Sequence, residues 1–140
     1  MTALTAGYEV QEKDGKVQAQ PVGAAKRIYQ GALLVTDDTT GLLEPGTDTA
    51  AKTFAGVAYE PADNTTGAAG AITCRVQKRG SFLYPFTGST PTAAVIGKKA
   101  YVSDSGAVAL AATTTNDVYA GDIVGFEGTK VRIRIDRAAG

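Results

Sequence analysis

Few side chains in this sequence have the type and spacing that catalysis or metal binding requires. Cys74 is the single cysteine and the sequence contains no histidine, which excludes Ser-His and Cys-His catalysis, histidine-ligated metals and an internal disulfide. The carboxylates form no obvious acid/base pair, although a hydrolase with two facing carboxylates stays open as an alternative. We therefore expect no catalytic residue, no metal and no cofactor, in a protein that is not an enzyme.

The remaining polar motifs are better explained by local structure than by ligand binding. Asp37-Asp38 and Asp63-Asn64 lack the ligand spacing of an EF-hand loop and are predicted to form turns. Gly97-Lys98-Lys99 lacks the upstream glycine and the following Ser or Thr of a phosphate-binding loop. Asn64-Thr65-Thr66 matches a glycosylation sequon, but the N-terminus has no signal-peptide pattern. We interpret the sequon as a loop tip in a soluble protein made in the cytosol.

Charge is balanced over the whole sequence, with 14 basic and 14 acidic residues, so no nucleic-acid partner is expected. No apolar stretch approaches the roughly 20 residues that span a bilayer, so no membrane partner is expected either. Basic side chains nevertheless occupy the polar faces of predicted strands. They form either a solvated face that discourages edge pairing or a contact face for an acidic partner protein. These residues are Arg75, Arg79, Arg132 and Arg134.

The elements that position these residues are predicted to be short strands. Ile72, Cys74 and Val76 alternate with polar residues, so Cys74 should be buried and unreactive, and Lys130–Asp136 alternates in the same way. Asp104-Ser105-Gly106 and Glu127-Gly128-Thr129 are typical hairpin turns. About eight to ten such strands indicate a mostly β fold, a small antiparallel β-barrel or sandwich with at most one or two short helices.

Three segments carry more specific expectations. Thr90–Gly97 is the best helix candidate, with Thr90 as N-cap and Gly97 as the stop. Strict alternation over Phe54–Glu60 places Phe54, Gly56 and Ala58 on one face and Ala55, Val57 and Tyr59 on the other. A third segment places aromatic rings on one face of a strand, which forms either the side of a homotrimer or plain core; these residues are Phe82, Tyr84 and Phe86.

The first residues differ from the rest because large apolar side chains are sparse among them. Residues 1–21 are interpreted as an extended N-terminal arm, residues 22–137 as a β-rich domain and residues 138–140 as a flexible C-terminal end. The arm either frays or becomes ordered by pairing with the sheet edge of a neighbouring subunit. Its docking side chains would be Leu4, Tyr8 and Val10.

From Val22 to Asp136, the chain resembles the DUF2190-like family of bacteriophage capsid decoration, or cement, proteins. The resemblance depends on an ordered set of short phrases rather than on any single motif. The phrases are Ile28–Leu33, Phe54–Ala58 with the Asp63-Asn64-Thr65 loop, Gly67–Gly70 before a strand ending in Arg79-Gly80, Ile96-Gly97-Lys98 leading into Ala100-Tyr101-Val102, and Ala120–Val124 before a terminal Val131–Ile135 strand.

The resemblance implies a structural virion protein on the outer surface of a phage capsid, made in the bacterial host cytoplasm. Such a protein assembles as a homotrimer and clamps neighbouring subunits of the major capsid protein, which stabilises the expanded shell. The family has no catalytic motif to transfer. In this picture the N-terminal arm is the segment that reaches across the shell. The alternative is a glycan- or receptor-binding β module of a phage tail or spike.

Overall fold

The computed structural model describes residues 16–136, and these residues are mostly β-structure. The strands are β1 (Val17–Pro21), β2 (Lys26–Ile28), β3 (Leu33–Asp37), β4 (Leu43–Pro45), β5 (Lys52–Ala58), β6 (Ala62–Asn64), β7 (Thr73–Gln77), β8 (Arg79–Pro85), β9 (Lys99–Asp104), β10 (Ala107–Ala109), β11 (Tyr119–Glu127) and β12 (Lys130–Asp136). Within this range there is one 3-10 turn and no α-helix. None of the described elements is a helix long and apolar enough to cross a membrane.

The strands form two five-stranded antiparallel sheets and one small two-stranded sheet. The first sheet has the order β1-β7-β5-β3-β4, and the second has the order β10-β9-β11-β12-β8. Strands β2 and β6 form the small sheet. The sheets do not close into a barrel, so the mostly β prediction is confirmed in its sandwich form.

Two apolar cores lie on opposite faces of the first sheet. The main core joins the two large sheets and includes Leu33 and Val57 from the first and Ile123 and Ile133 from the second. The second core joins the other face of the first sheet to the small sheet, and it contains Val22, Ile28, Leu34, Leu43, Ala55, Ala58, Ala62, Cys74 and Val76. The central strands β3 and β5 of the first sheet are therefore buried on both faces.

The predicted alternation in β5 is wrong from Gly56 onward. Phe54 and Val57 both face the main core, whereas Ala55 and Ala58 both face the second core. The register with β3 shifts at this point, and Gly56 has a φ of +143°, which other residues rarely adopt. A bulge of this kind inserts one residue, so the following side chains change faces.

The predicted helix at Thr90–Gly97 is also wrong, because only Ala93–Val95 form a 3-10 turn. Its N-cap is Thr92, whose hydroxyl accepts a hydrogen bond from the backbone N–H of Ala94. The chain cannot continue as a helix because Ile96 is already extended and the N–H of Gly97 donates to the Ile123 carbonyl at 2.7 Å. Attachment to β11 therefore ends the turn.

Both predicted hairpins are confirmed. The Asp104 carboxylate accepts a hydrogen bond from Gly106 N–H at 2.7 Å between β9 and β10. Gly128, with a φ of +60°, lies in the turn between β11 and β12.

The domain begins earlier than the sequence analysis placed it. Residues 17–21, assigned to the arm, form β1 and pair with β7 in the register Val17 to Gln77 through Pro21 to Thr73. The alternation of this strand is weak because β1 lies at a sheet edge and keeps much of its surface exposed. The arm residues Leu4, Tyr8 and Val10 and the C-terminal end at 138–140 lie outside the described residues.

Candidate interaction site

An open groove of about 560 Å³ lies at the seam between the two large sheets, and we call it the edge groove. One wall comes from the end of β5 and the loop before β3, and the other comes from β8 and the end of β7. Its lining residues are Gln30, Gly31, Val57, Ala58, Tyr59, Gln77, Phe82, Leu83 and Tyr84. Its volume falls within the range of protein binding pockets, and most of its side chains are apolar or aromatic.

Strand β8 gives the edge groove a free sheet edge. It pairs with β12 on one side, and no strand of the described residues pairs with the other side of Arg79–Pro85; the free edge ends there, because Phe86 and Thr87 bridge to Val108 of β10. The N–H of Phe86 donates to the Thr129 carbonyl, which sets the phase of the antiparallel ladder. Since alternate residues of such a ladder point to opposite sides, Leu83 directs its backbone N–H and C=O toward the free edge. The groove can therefore offer backbone hydrogen bonds to an added strand.

The structure buries Tyr84 in the main core, and the partly buried rings of Phe82 in β8 and Phe86 just after it pack against that core. Tyr84 is 7% exposed, its hydroxyl donates to the Gly31 carbonyl at 2.6 Å, and burial raises the pKa of that hydroxyl. The large apolar side chain of β8 that is exposed is Leu83, at 37%. The sequence analysis missed it, although its position between two aromatic residues of an alternating strand was the available signal.

Tyr59 forms the rim of the edge groove together with an ion pair. The ring is 45% exposed, and the Arg75 guanidinium lies 5.1 Å from the ring centroid. Arg75 Nη2 and Nε donate to Glu60 Oε1 at 2.8 and 3.0 Å, and the Arg75 backbone N–H donates to Oε2. The hydrogen bonds from the Arg75 side chain lower the pKa of Glu60. These contacts hold the rim in one geometry.

A second unit of the same composition lies on the strand pair β2 and β6. Arg27 Nη1 contacts Asp63 Oδ2 at 3.1 Å, and its guanidinium lies 5.0 Å from the centroid of the Tyr29 ring. Tyr29 is 65% exposed. Tyr29 is followed in the chain by Gln30 and Gly31, which line the edge groove.

The four arginines of the predicted basic face are divided between two sheets and opposed by carboxylates. Arg75 belongs to the first sheet, whereas the other three lie on β8 and β12 of the second. Arg132 pairs with Glu127 at 2.7 Å, and Arg134 and Arg79 lie opposite Asp122 and Asp136 in the strand register. The outward face of the second sheet therefore carries mixed charge rather than a basic patch.

The same face carries an aromatic pair at its other end. The rings of Tyr101 and Tyr119 meet edge to face at 6.1 Å, and Lys99 Nζ lies 5.4 Å from the Tyr119 centroid. The Tyr119 hydroxyl donates to Asp122 Oδ1 at 2.8 Å. A smaller cavity of about 270 Å³ adjoins Tyr119. It is mainly polar and has no free sheet edge, so it offers less to an extended partner.

The acidic turn at Asp37 is built from internal hydrogen bonds. Asp37 accepts from the N–H groups of Thr39 and Thr40, and Lys52 Nζ contacts both Asp37 and Glu44, at 2.9 and 2.7 Å. The hydrogen bond from Lys52, with those from the two backbone groups, lowers the pKa of Asp37 to about 2. Among residues 16–136, no three His, Cys, Asp or Glu side chains are grouped for a metal ion.

Asn64 and Cys74 both have structural positions. The buried Asn64 amide donates to the carbonyls of Gly23 at 2.9 Å and Ala68 at 3.0 Å. These hydrogen bonds fix the loop that follows Asn64. Cys74 is fully buried, as predicted, and its thiol donates to the Glu60 carbonyl at 3.4 Å. Burial raises the pKa of this thiol to about 11, so it is not a nucleophile at neutral pH.

Comparisons with protein-family models, with curated proteins and with solved structures found no match to this chain. The resemblance to the decoration family therefore depends on the sequence phrases alone, and any function has to be argued from the geometry described above.

Proposed function

We propose that this protein is a capsid decoration protein, which binds the outer surface of a phage head as a homotrimer and stabilises the expanded shell by clamping neighbouring major capsid subunits. The observation that carries the proposal is the edge groove, where a free strand edge adjoins exposed apolar and aromatic side chains. Extended protein segments bind such edges through backbone hydrogen bonds, with side chains filling the adjoining pocket.

The composition of the groove rim supports a protein partner. Tyrosine and arginine are enriched at the centres of protein interfaces, where rigid side chains lose little conformational entropy on binding. Here Tyr59 and Arg75 are already held by Glu60. Because this guanidinium is already paired with a carboxylate, the rim is better suited to a protein surface than to phosphate.

The layered core supports a mechanical role. Strands β3 and β5 of the first sheet are buried on both faces, so they are fixed between two packed cores. A rigid unit of this kind transmits load between subunits without deforming. Repetition over a lattice strengthens attachment, since linked binding sites gain on the order of 10²–10⁴-fold without any stronger single contact.

The resemblance described above supports the location in the virion and synthesis in the bacterial host. Within this proposal, Leu4, Tyr8 and Val10 are the predicted capsid-contact residues of the N-terminal arm, and they lie outside the described residues.

The test is the number of copies of this chain relative to the major capsid protein in purified particles, measured by quantitative mass spectrometry. A ratio near one to one is expected if the chain coats the lattice. A handful of copies per particle, or none, would contradict the proposal.

A second candidate is a glycan- or receptor-binding module of a tail or spike, favoured by the exposed rings of Tyr29 and Tyr59. Aromatic rings that face solvent beside a groove can stack on sugars. A glycan array in which the chain binds, and in which Tyr59→Ala abolishes binding while Tyr101→Ala does not, would establish this candidate instead.

A further inference from the structure

We infer that the edge groove binds the N-terminal segment of a second copy of this chain, so that residues within 1–15 of one copy add a strand to β8 of the next. The inference rests on the proposed homotrimer and names the contact that joins its copies. It assigns Tyr8 and Val10 to contact between copies rather than to the capsid protein.

The N-terminal segment begins next to β7, one strand away from the groove. The Lys16 carbonyl accepts a hydrogen bond from the Lys78 N–H at 2.7 Å, and Val17 pairs with Gln77, which lines the groove. Fifteen residues precede Lys16. Fully extended, a segment of that length spans about 50 Å, which is enough to reach an adjacent subunit.

The sheet order favours a different copy as the acceptor. Strand β1 pairs with one edge of β7, whereas Val57 and Ala58 of β5, which line the groove, pair with the opposite edge. The segment therefore leaves the domain on the far side of β7 from its own groove. To reach that groove it would have to cross over the continuous run of β7 and β8, whereas the groove of a neighbour requires no crossing.

The chemistry of the segment matches the groove. In Tyr8-Glu9-Val10, apolar and acidic residues alternate, so a strand formed there would direct Tyr8 and Val10 to one side. The groove presents the exposed Leu83 side chain and the partly exposed Phe82 ring beside the free edge. Backbone bonds to Leu83 would supply affinity, and the two apolar side chains would supply register.

Exchange of this kind is a heterologous contact, in which a donor surface and an acceptor surface differ. Such contacts close into a ring when the rotation between copies permits it. In a three-fold ring every N-terminal segment is bound and every edge groove is occupied. The inference therefore accounts for how one chain, with one segment and one groove, forms a closed trimer.

The test is disulfide formation between two full-length single-cysteine additions, Val10→Cys and Leu83→Cys, mixed in solution without particles. Because Cys74 is buried, it stays silent under mild oxidation. The matched control replaces Leu83→Cys by Ile96→Cys, since Ile96 is 48% exposed but lies beside β11, away from the groove. We expect cross-linking at least about tenfold faster with Leu83→Cys, because docking raises the local thiol concentration.

Equal rates for the two partners would overturn the inference. So would a Val10→Cys/Leu83→Cys double variant that forms its disulfide within one chain, because the groove would then hold the segment of its own copy. Both results leave the copy number in particles unaffected, so failure of the strand exchange and failure of the capsid role can be told apart.

Discussion

The two large sheets bury their side chains in different ways, and the difference decides which of them carries the interaction surface. The first sheet is packed on both faces at its strands β3 and β5, and five consecutive residues of β5, Phe54 to Ala58, are buried. The second sheet is packed on one face, and β12 alternates strictly between buried and exposed. The first sheet is thus the fixed layer, and solvent contact is concentrated on the second sheet and on the seam where β8 is open.

The largest expected effect comes from the bulge of the first sheet. A Cβ at Gly56 would lie 2.4 Å from the Gln77 carbonyl oxygen, on a backbone with a φ of +143°. We expect Gly56→Ala to lower the free energy of unfolding by about 3 kcal/mol or more, through strain and clash together. The measurement is denaturant unfolding.

The control for this substitution lies in the second sheet. At Gly125 an added Cβ meets no atom within 4 Å, and we expect Gly125→Ala to change stability by less than about 0.5 kcal/mol. Similar losses in both variants would remove the distinction between a tightly packed first sheet and a more tolerant second sheet.

The next effect concerns the hydrogen bond that crosses the seam. Tyr84→Phe removes the hydroxyl that donates to Gly31 and leaves a carbonyl unpaired, so we expect a loss of about 1–2 kcal/mol in the free energy of unfolding. Tyr101→Phe, on the outward face of the second sheet, is the control and should stay within about 0.5 kcal/mol of the wild type. If both variants match the wild type, the seam is not held by this bond.

Leu83→Lys tests the groove itself. A charge on a free strand edge disfavours strand addition, so we expect self-association to weaken about tenfold in analytical ultracentrifugation, with an unchanged unfolding midpoint. Ile96→Lys, on an apolar residue that is at least as exposed, should associate like the wild type. Equal weakening in both variants would point to general surface charge rather than to the groove.

The smallest effect is electrostatic and belongs to the first sheet. The pKa of Asp37 is lowered from 3.8 to about 2, so its stabilising contribution is complete above about pH 4 and is lost as the pH falls toward 2. We expect Asp37→Asn to lose less stability than the wild type between pH 4 and pH 2. The measurement is the thermal unfolding midpoint of both proteins over this pH range. Parallel curves for the two proteins would show that the contacts with Lys52 and the turn do not favour the ionised form.

The sequence predicted the second sheet better than the first for a physical reason. Strand β12 was located at its correct bounds because one-sided burial imposes alternation on the residues themselves. In β5 both faces are apolar, so periodicity says little, and the bulge at Gly56 depends on a close approach of β7 that no local pattern records.

The candidate site was predictable only in part. Sequence reasoning singled out Arg75 and the aromatic residues of β8, but it could not place Arg75 beside Glu60 and Tyr59. These residues are distant along the chain and meet only because β5 and β7 are neighbours in the sheet. It also selected the aromatic face of β8 as the contact face, because the alternation of Phe82, Leu83 and Tyr84 does not show which of the two faces is covered. Whether a face is covered depends on tertiary packing, and here the first sheet packs against the aromatic face of β8.

The antiparallel pairing of β1 with β7 has a consequence for how the chain resists force. Tension on the N-terminal segment would act along the strand axis of β1, so the hydrogen bonds over Val17–Pro21 would be sheared together instead of being unzipped one by one. Because a single residue, Lys78, separates β7 from β8, that tension would pass directly from one sheet into the other. The attachment point of the segment is thus also the point at which a pull on it is shared by both sheets.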